Sequence, residues 1–570
     1  MKASDAVAEF LIAHRVQTCF ELVGGMITHL LDSFAQSGRF QIVSMHHEQA
    51  AAFAAEGVAR ASMGHQIAVA MGTSGPGATN LITGIGSCWF DSVPCLFITG
   101  QVNTHELKGV RGVRQQGFQE LDIVELVHPI TKSAVRVMHA DELLPALHRA
   151  LSLALQGRMG PVLLDIPNDV QRGEIPDELV AEWISKPLES ASSLPTLAKL
   201  DREKLATLCR NARQPLICIG GGARWAEALP DWLNQAERHG IPYVATLMGH
   251  ERVSAQPHYF NLIGTYGNRE ANWALQNCDL LIVLGARLDV RQTGADFEDF
   301  ARHAQIVQID IDQAQLNNRI PVELAIQADV GELIGEFPLD ATTFPRLDPA
   351  WPRALDARKR AARADEYPDW KISPSRLLEA LQSALCGVAV DYVCDVGNHQ
   401  MWAAQNLRLQ PGQAVHYSGG MGAMGFALPA AIGIALQTRR KVVVLSGDGS
   451  IQINSHELDT LNRLGLDITV IVLNNASLGM VKNFQDMYFN GRDQSTRKGY
   501  SYPSFVRLAA AYDIEATRVD DLAGLSVALQ GLAVRQAPFL IEASMEYATE
   551  CRPRLAFGNK LDEQTPQRDA

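Results

Sequence analysis

Asp448 and Asn475 put a carboxylate and a carboxamide 27 residues apart, and the residues between them give that interval a meaning. Lys441–Ser450 reads K-V-V-V-L-S-G-D-G-S, an apolar strand that breaks at Gly447-Asp448-Gly449. A helix is expected next, with Asn454 as its N-cap and Glu457 three residues on in a capping-box pattern. A second apolar strand then ends in Asn474-Asn475. The interval is one strand–helix–strand unit, so both side chains fall at the carboxyl ends of parallel strands, where open α/β sheets bind ligands. The residue types suit Mg²⁺, which takes hard oxygen ligands in an octahedron and is often shared with substrate phosphates. Asp448 offers a carboxylate, Asn475 an amide oxygen, and Ser477 a nearby backbone carbonyl. Gly447 and Gly449 let phosphate approach the backbone, and the N-terminus of the helix that follows favours an anion. A lone G-D-G is most often a plain turn; N-N one unit later raises it above that.

A second carboxyl group stands near the start of the chain. His46-His47-Glu48-Gln49 leads into Ala50–Ala55, with Phe53 among them. A Glu at a helix start ordinarily just complements the helix dipole. On an Ala-rich helix it can also be desolvated, which an acid that must donate a proton near neutral pH requires. His46, His47 and His399 could serve as general bases, although histidines in such places more often hydrogen-bond the backbone.

Strand ends must be held in register for any of this to work. Short apolar runs recur at Ile67–Met71, Cys95–Thr99, Val162–Ile166, Leu216–Ile219, Leu280–Leu284, Ile306–Ile309, Val442–Leu445 and Ile468–Leu473. Runs of this length suit strands buried on both faces of a parallel sheet. Helical patterns separate them: after Gly24-Gly25, residues Ile27, Leu30, Leu31 and Phe34 share one face. The fold class is α/β, in three doubly wound domains with mainly parallel sheets. Stretches at about 172–200 and 337–373 read as linkers and give domains at 1–172, 196–336 and 374–550. The polar tail, 551–570, is expected to be loose at its end, Asp562–Ala570. The first and third domains share a layout of Gly-rich turn and Ala-rich helix, which suggests a duplication. In the middle domain, Leu216–Trp225 runs strand, Gly220-Gly221-Gly222, helix. This is a candidate nucleotide site, though a tight turn explains it equally well. Trp225 holds the last Gly position of G-x-G-x-x-G, which argues against a nicotinamide oxidoreductase.

Bulk properties narrow the field. The 570 residues carry 50 Lys+Arg against 63 Asp+Glu, a formal net charge of −13. Nothing there favours nucleic acid, which needs clustered cations, and any anion site has to be local. Nine scattered cysteines without C-x-x-C argue against a disulfide framework or a zinc site; most are expected to be buried thiols in a reducing compartment. The N-terminus lacks the apolar core of a signal peptide, and no apolar run reaches the ~18 residues of a membrane span. A cytoplasmic protein with no membrane partner is expected.

Read in order, the motifs resemble the acetolactate synthases, which depend on thiamine diphosphate, over essentially the whole chain. The resemblance rests on H-E-Q-A-A-A-F-A-A-E-G-V-A-R (His47–Arg60), G-T-S-G-P-G-A-T-N (Gly72–Asn80), D-S-V-P-C-L-F-I-T-G-Q-V (Asp91–Val102), G-F-Q-E (Gly117–Glu120) and I-T-K (Ile130–Lys132). It continues through D-V-G-N-H-Q-M-W-A-A-Q (Asp395–Gln405), G-G-M-G-A-M-G-F-A-L-P-A-A-I-G (Gly419–Gly433), the G-D-G and N-N pair, and L-G-M-V (Leu478–Val481). It implies thiamine diphosphate, Mg²⁺ and FAD as cofactors, and small-molecule substrates. Glu48 would be the acid beside the aminopyrimidine ring. Gly422 and Met424 would bend the cofactor. Gly397, Asn398, His399, Gly447, Gly449, Ser450, Leu478, Gly479 and Met480 would surround it, with Asp448, Asn475 and Ser477 on the metal. Phe118, Gln119 and Gly25 would line the substrate pocket. Gly221, Gly222, Thr246, Leu247, Met248, Arg287, Asp289 and Arg291 would hold the flavin, the arginines clamping its phosphates. Glu48 and the metal would come from different subunits, so a homodimer or homotetramer is implied.

The chain also departs from that family. Leu22-Val23-Gly24-Gly25 stands where Y-P-G-G is usual, Asn168 stands for a Lys, Phe484 for a Trp, and Cys551–Leu561 ends differently. These departures lie where the resemblance places the substrate channel, while the cofactor motifs are intact. The expectation is therefore a carboligase that decarboxylates pyruvate and passes the two-carbon unit to a ketone such as a nucleotide-linked keto-sugar. Acetolactate synthesis and simple 2-keto acid decarboxylation are the alternatives.

Overall fold

The computed structural model describes residues 1–189, 197–362 and 364–568. Three six-stranded sheets, parallel throughout, carry the chain. The first orders its strands Gln41–Ser44, Thr18–Leu22, Val69–Gly72, Leu96–Gln101, Val162–Pro167, Ser133–Arg136. The third orders them Ala414–Tyr417, Val390–Cys394, Lys441–Gly447, Ile468–Asn474, Phe539–Ser544, Glu515–Val519. Numbered along the chain, both run 2-1-3-4-6-5, so the shared layout extends to topology. The middle sheet runs 3-2-1-4-5-6, with Pro215–Ile219 beside Leu280–Leu284 at its centre. In each order the chain departs in opposite directions from one pair of neighbouring central strands, and a crevice opens there at the strands' carboxyl ends. In the middle sheet that point is Gly220–Gly222 against Gly285–Leu288. In the third it lies between Val390–Cys394 and Lys441–Gly447.

The first and third domains share one hydrophobic core. Its centre is the contact of helix Glu48–Ala61 with helix Ala427–Thr438, where Phe53 meets Phe426 edge to face at 5.5 Å. The helices cross so closely that a Cβ at Gly57 would overlap the Ala430 carbonyl, and one at Gly433 the Ala54 carbonyl. All nine cysteines are free thiols, eight of them buried. No helix among the described residues is long and apolar enough to cross a membrane.

The structure revises three expectations. Asn454 does not cap a helix with its side chain; it ends the short helix Ser450–Ile453, and the next, Glu457–Arg463, starts after it. Its amide is used across the fold instead, donating to the Gly425 carbonyl at 2.8 Å and to Gln49 at 3.2 Å. The tail is tied down. Arg554–Leu555 pairs antiparallel with Gln564–Thr565, Leu561 is buried, Asp562 pairs with Arg302, and Arg568 donates to the Ala364 and Asp365 carbonyls. The stretch at 337–373 contains a helix, Ala350–Ala361, that buries Trp351 and Leu355 in the middle domain. In the stretch at 172–200, residues 190–196 lie outside the described residues.

Candidate active site

Asp448 and Asn475 close adjacent strands, and the fold brings them together: the Asn475 N–H donates to Asp448 Oδ1 at 3.3 Å. Both are buried. Asn475 Nδ2 donates to the Ala548 carbonyl at 2.7 Å, which leaves the amide oxygen as the atom free for a cation. Burial pushes the Asp448 carboxyl up to about 6, and a hydrogen bond from Tyr500, at 2.7 Å to Oδ2, opposes the rise. A cation at this point would favour the charged form. The pair lines a cavity of about 140 Å³ with Gly397, Asn398, His399, Met424, Gly447, Gly449, Ser450, Ser477, Leu478, Gly479 and Met480. Asn398 Nδ2, His399 Nε2 and Ser477 Oγ are buried there without a partner among the described residues. Burial drives His399 down to about 3, so its imidazole is neutral. Orphaned buried polar atoms beside a glycine-rimmed cavity and a carboxylate–carboxamide pair fit a diphosphate with a divalent cation.

Gly422 and Met424 lie on the turn between strand Ala414–Tyr417 and helix Ala427–Thr438; Gly422 has φ +64°. Asp395 fixes the end of that turn, accepting from Gly425 at 2.9 Å and Ala427 at 3.2 Å. Neither Asp395 nor Tyr500 was marked for a role by the sequence; Tyr500 lies 52 residues from Asp448, and only the fold joins them.

Glu48 opens its helix beneath an N-cap made by His47, whose Nδ1 accepts from Gln49 at 3.0 Å. The carboxyl is buried and accepts from Asn80 at 2.9 Å. Gln119 sits nearby at the strained φ of +63°, against Gly75. Glu120 shapes that loop by accepting from the Lys108, Gln116 and Gly117 amides. Phe118 is 78% exposed, and space is open around Gly25. Among the described residues, those that line the 140 Å³ cavity all belong to the third domain.

The middle sheet's crevice widens to a cavity of about 460 Å³ lined by Gly221, Gly222, Thr246, Leu247, Met248, Arg287, Asp289 and Arg291. Arg287 pairs with Asp289 at 3.1 Å, and Arg291 lies over Tyr266. Asp91, Gly419 and Gly420 close the cavity from the other two domains. Of the departures, Phe484 packs at a tilt against Tyr488 and Phe489 at the end of helix Gly479–Tyr488, and the tail docks beside it through Arg554–Asn483 at 2.6 Å.

Three doubly wound domains with a diphosphate–cation cradle at a strand switch point define a cofactor-dependent enzyme. The chain belongs to the thiamine pyrophosphate enzymes: it matches their N-terminal TPP binding domain over residues 1–126, their central domain over 202–337 and their C-terminal TPP binding domain over 395–543. It is 32% identical to a probable acetolactate synthase large subunit of Methanocaldococcus jannaschii, over 98% of this chain and 94% of that one. It is 34% identical to acetolactate synthase isozyme 2 large subunit of Escherichia coli, over 96% of each. The acetolactate synthase of Arthrospira platensis is 34% identical over 97% of this chain and 96% of its own. This is a thiamine-diphosphate-dependent enzyme of the acetolactate synthase-like, carboligase class.

Proposed function

We propose that the enzyme decarboxylates pyruvate and joins the retained two-carbon unit to a second 2-keto acid. Two pyruvates and one proton give acetolactate and CO₂, with no net oxidation. The observation that carries this reading is the buried Asp448–Asn475 pair, with the Asn475 oxygen free and orphaned donors around it. The names of the relatives favour the keto acid as acceptor. Asp448, Asn475 and the Ser477 carbonyl would hold Mg²⁺; Asn398, His399 and the Gly449–Ser450 amides would take the diphosphate. Thiamine diphosphate supplies, when bound, a nucleophilic carbon and a sink for the electrons left by CO₂. Gly422 and Met424 would set its shape. Glu48, buried and held by Asn80, would share a proton with the pyrimidine ring, and Gln119, Phe118 and Gly25 would face the substrate. In this reading Glu48 and the metal pair of each site come from different copies, so a second copy completes each site. The 460 Å³ cavity suits FAD, placed at the switch point with Gly221 and Gly222 at its turn and two arginines at its wall.

A ketone or keto-sugar acceptor is the second reading. It rests on the half-exposed Phe484–Tyr488–Phe489 cluster beside the docked tail. CO₂ and acetolactate assayed together, with pyruvate, thiamine diphosphate, Mg²⁺ and FAD, decide between them. Matching yields are expected. CO₂ without acetolactate, rising when a ketone is added, would select the second reading; acetaldehyde alone would mean a decarboxylase; no CO₂ would remove pyruvate as donor.

A further inference from the structure

We propose that Asp91, in the first domain, is a positioning residue for the turn that carries Gly422 and Met424, which it holds through two main-chain hydrogen bonds. The inference rests on the thiamine reading and goes on to name what sets the turn's shape.

The turn's downstream flank is fixed from within its own domain by Asp395. Its upstream flank is fixed from outside. Asp91 accepts from the Gly419 amide at 3.1 Å through Oδ2 and from the Gly420 amide at 2.7 Å through Oδ1. Glu251, in the middle domain, accepts from the Tyr417 amide at 2.9 Å. Three amides leading into the turn are therefore held by carboxylates of the other two domains. Between the flanks, Met421–Met424 carry one tie among the described residues, from the Ala423 amide to Ser418 Oγ at 3.2 Å.

The two carboxylates are themselves locked. Arg60 reaches Asp91 at 2.5 Å, Glu56 at 2.6 Å and Glu251 at 3.1 Å, and Arg224 reaches the other Glu251 oxygen at 3.2 Å. All five side chains are almost wholly buried. Charge in such a place is a poor way to hold domains together, because well-packed apolar residues commonly do as well or better. What apolar residues cannot do is accept hydrogen bonds from main-chain amides, and Asp91 and Glu251 do that at three amides. A side chain at Gly420 would crowd Phe90 and Asp91 Oδ1, so the glycine permits the approach. Asp91, Arg224, Gly419 and Gly420 also line the 460 Å³ cavity, which places the turn's anchor against whatever fills it.

The test uses intact holoenzyme loaded with thiamine diphosphate and Mg²⁺. Hydrogen–deuterium exchange at C2 of the bound cofactor, read by NMR after acid quench, reports its activation; calorimetric titration gives its affinity, and thermal unfolding the stability. Asp91→Asn cannot accept both amides. It is expected to slow exchange about tenfold or more, because small misplacements of reacting groups cost that much, with cofactor affinity changed less than about threefold. Arg60→Lys loosens the ion cluster but keeps both main-chain bonds. It should lower the unfolding temperature and leave exchange within about twofold of wild type. If Asp91→Asn does not fold, Asp91→Glu keeps the charge beside Arg60 while moving the carboxylate off the amides, and the same slowing is expected. Wild-type exchange in the Asp91 variants, or equal slowing in Arg60→Lys, would overturn the inference. Failure of wild-type protein to bind thiamine diphosphate would instead overturn the functional reading beneath it.

Discussion

At the level of single residues, each acid's surroundings decide its use. Glu48 is buried with a carboxamide donor at 2.9 Å and no cation pairing with it among the described residues. Glu48→Gln keeps shape and burial but has no proton to share. Turnover is expected to fall by about a hundredfold or more, while the affinity for thiamine diphosphate, measured by fluorescence quenching, stays close to wild type; full activity would remove Glu48 from its role. Asp448 faces Asn475, and Asp448→Ala should abolish the Mg²⁺-dependent part of cofactor retention, read as thiamine diphosphate co-eluting on gel filtration with and without EDTA. Burial also governs two histidines. His250 and His399 are driven to about 3 from 6.5. Between those values the unfolded chain binds the extra protons, so their contribution is complete above pH 6.5 and is lost as pH falls toward 3, at up to about 1.4 kcal/mol per pH unit each. Asp395 and Asp448, raised by burial to about 6, oppose that loss below pH 6. His250→Asn removes one such proton, so calorimetric scans from pH 7.5 to 5.5 should show a shallower decline than wild type; parallel declines would refute the buried-neutral assignment. Asp448, Asn475 and Glu48 were legible in the sequence because motif and spacing mark them. Asp91, Asp395 and Tyr500 were not, since their partners are set only by tertiary contact.

Among the elements, the strands legible in the sequence are ones buried on both faces. All eight apolar runs fall on interior strands of the three sheets. Three of the six edge strands, Gln41–Ser44, Ser133–Arg136 and Glu515–Val519, are partly exposed and carry polar residues, so no continuous apolar run marks them. The tail hairpin escaped for a related reason: Leu555 and Leu561 sit in a mostly polar stretch, and both pack against the core of the middle domain. The contact of helix Glu48–Ala61 with Ala427–Thr438 is a sharper case, because its closeness depends on two glycines. Gly433→Ala drives a methyl into the Ala54 carbonyl and should cost at least about 2 kcal/mol by overpacking. The comparison is Gly335→Ala in helix Val330–Glu336, where space is open and helix propensity should add up to about 1 kcal/mol. Denaturant midpoints moving in opposite directions are expected; an unchanged midpoint for Gly433→Ala would mean that the helices can part without loss.

For the whole molecule, a site that draws Glu48 and the metal pair from different copies has a consequence that no single-chain property can imitate. The 140 Å³ cavity is lined by third-domain residues alone, while Glu48, Gln119 and Gly25 gather on the first domain with Phe118 exposed beside them. In a symmetric dimer the two patches of one copy meet the complementary patches of the other. Each site then takes its acid from one subunit and its metal from the partner. Suppose Glu48→Gln and Asp448→Ala chains are co-expressed with different tags and the doubly tagged species is purified. One of its two sites combines both lesions and is dead. The other combines the intact Glu48 of one chain with the intact Asp448 of its partner and is wild type. The doubly tagged dimer should therefore regain about half of wild-type turnover, and an unsorted mixture about a quarter, although each parent alone is inactive. If each site were built within one chain, every site in the mixture would carry a lesion, and the doubly tagged species would be as inactive as its parents.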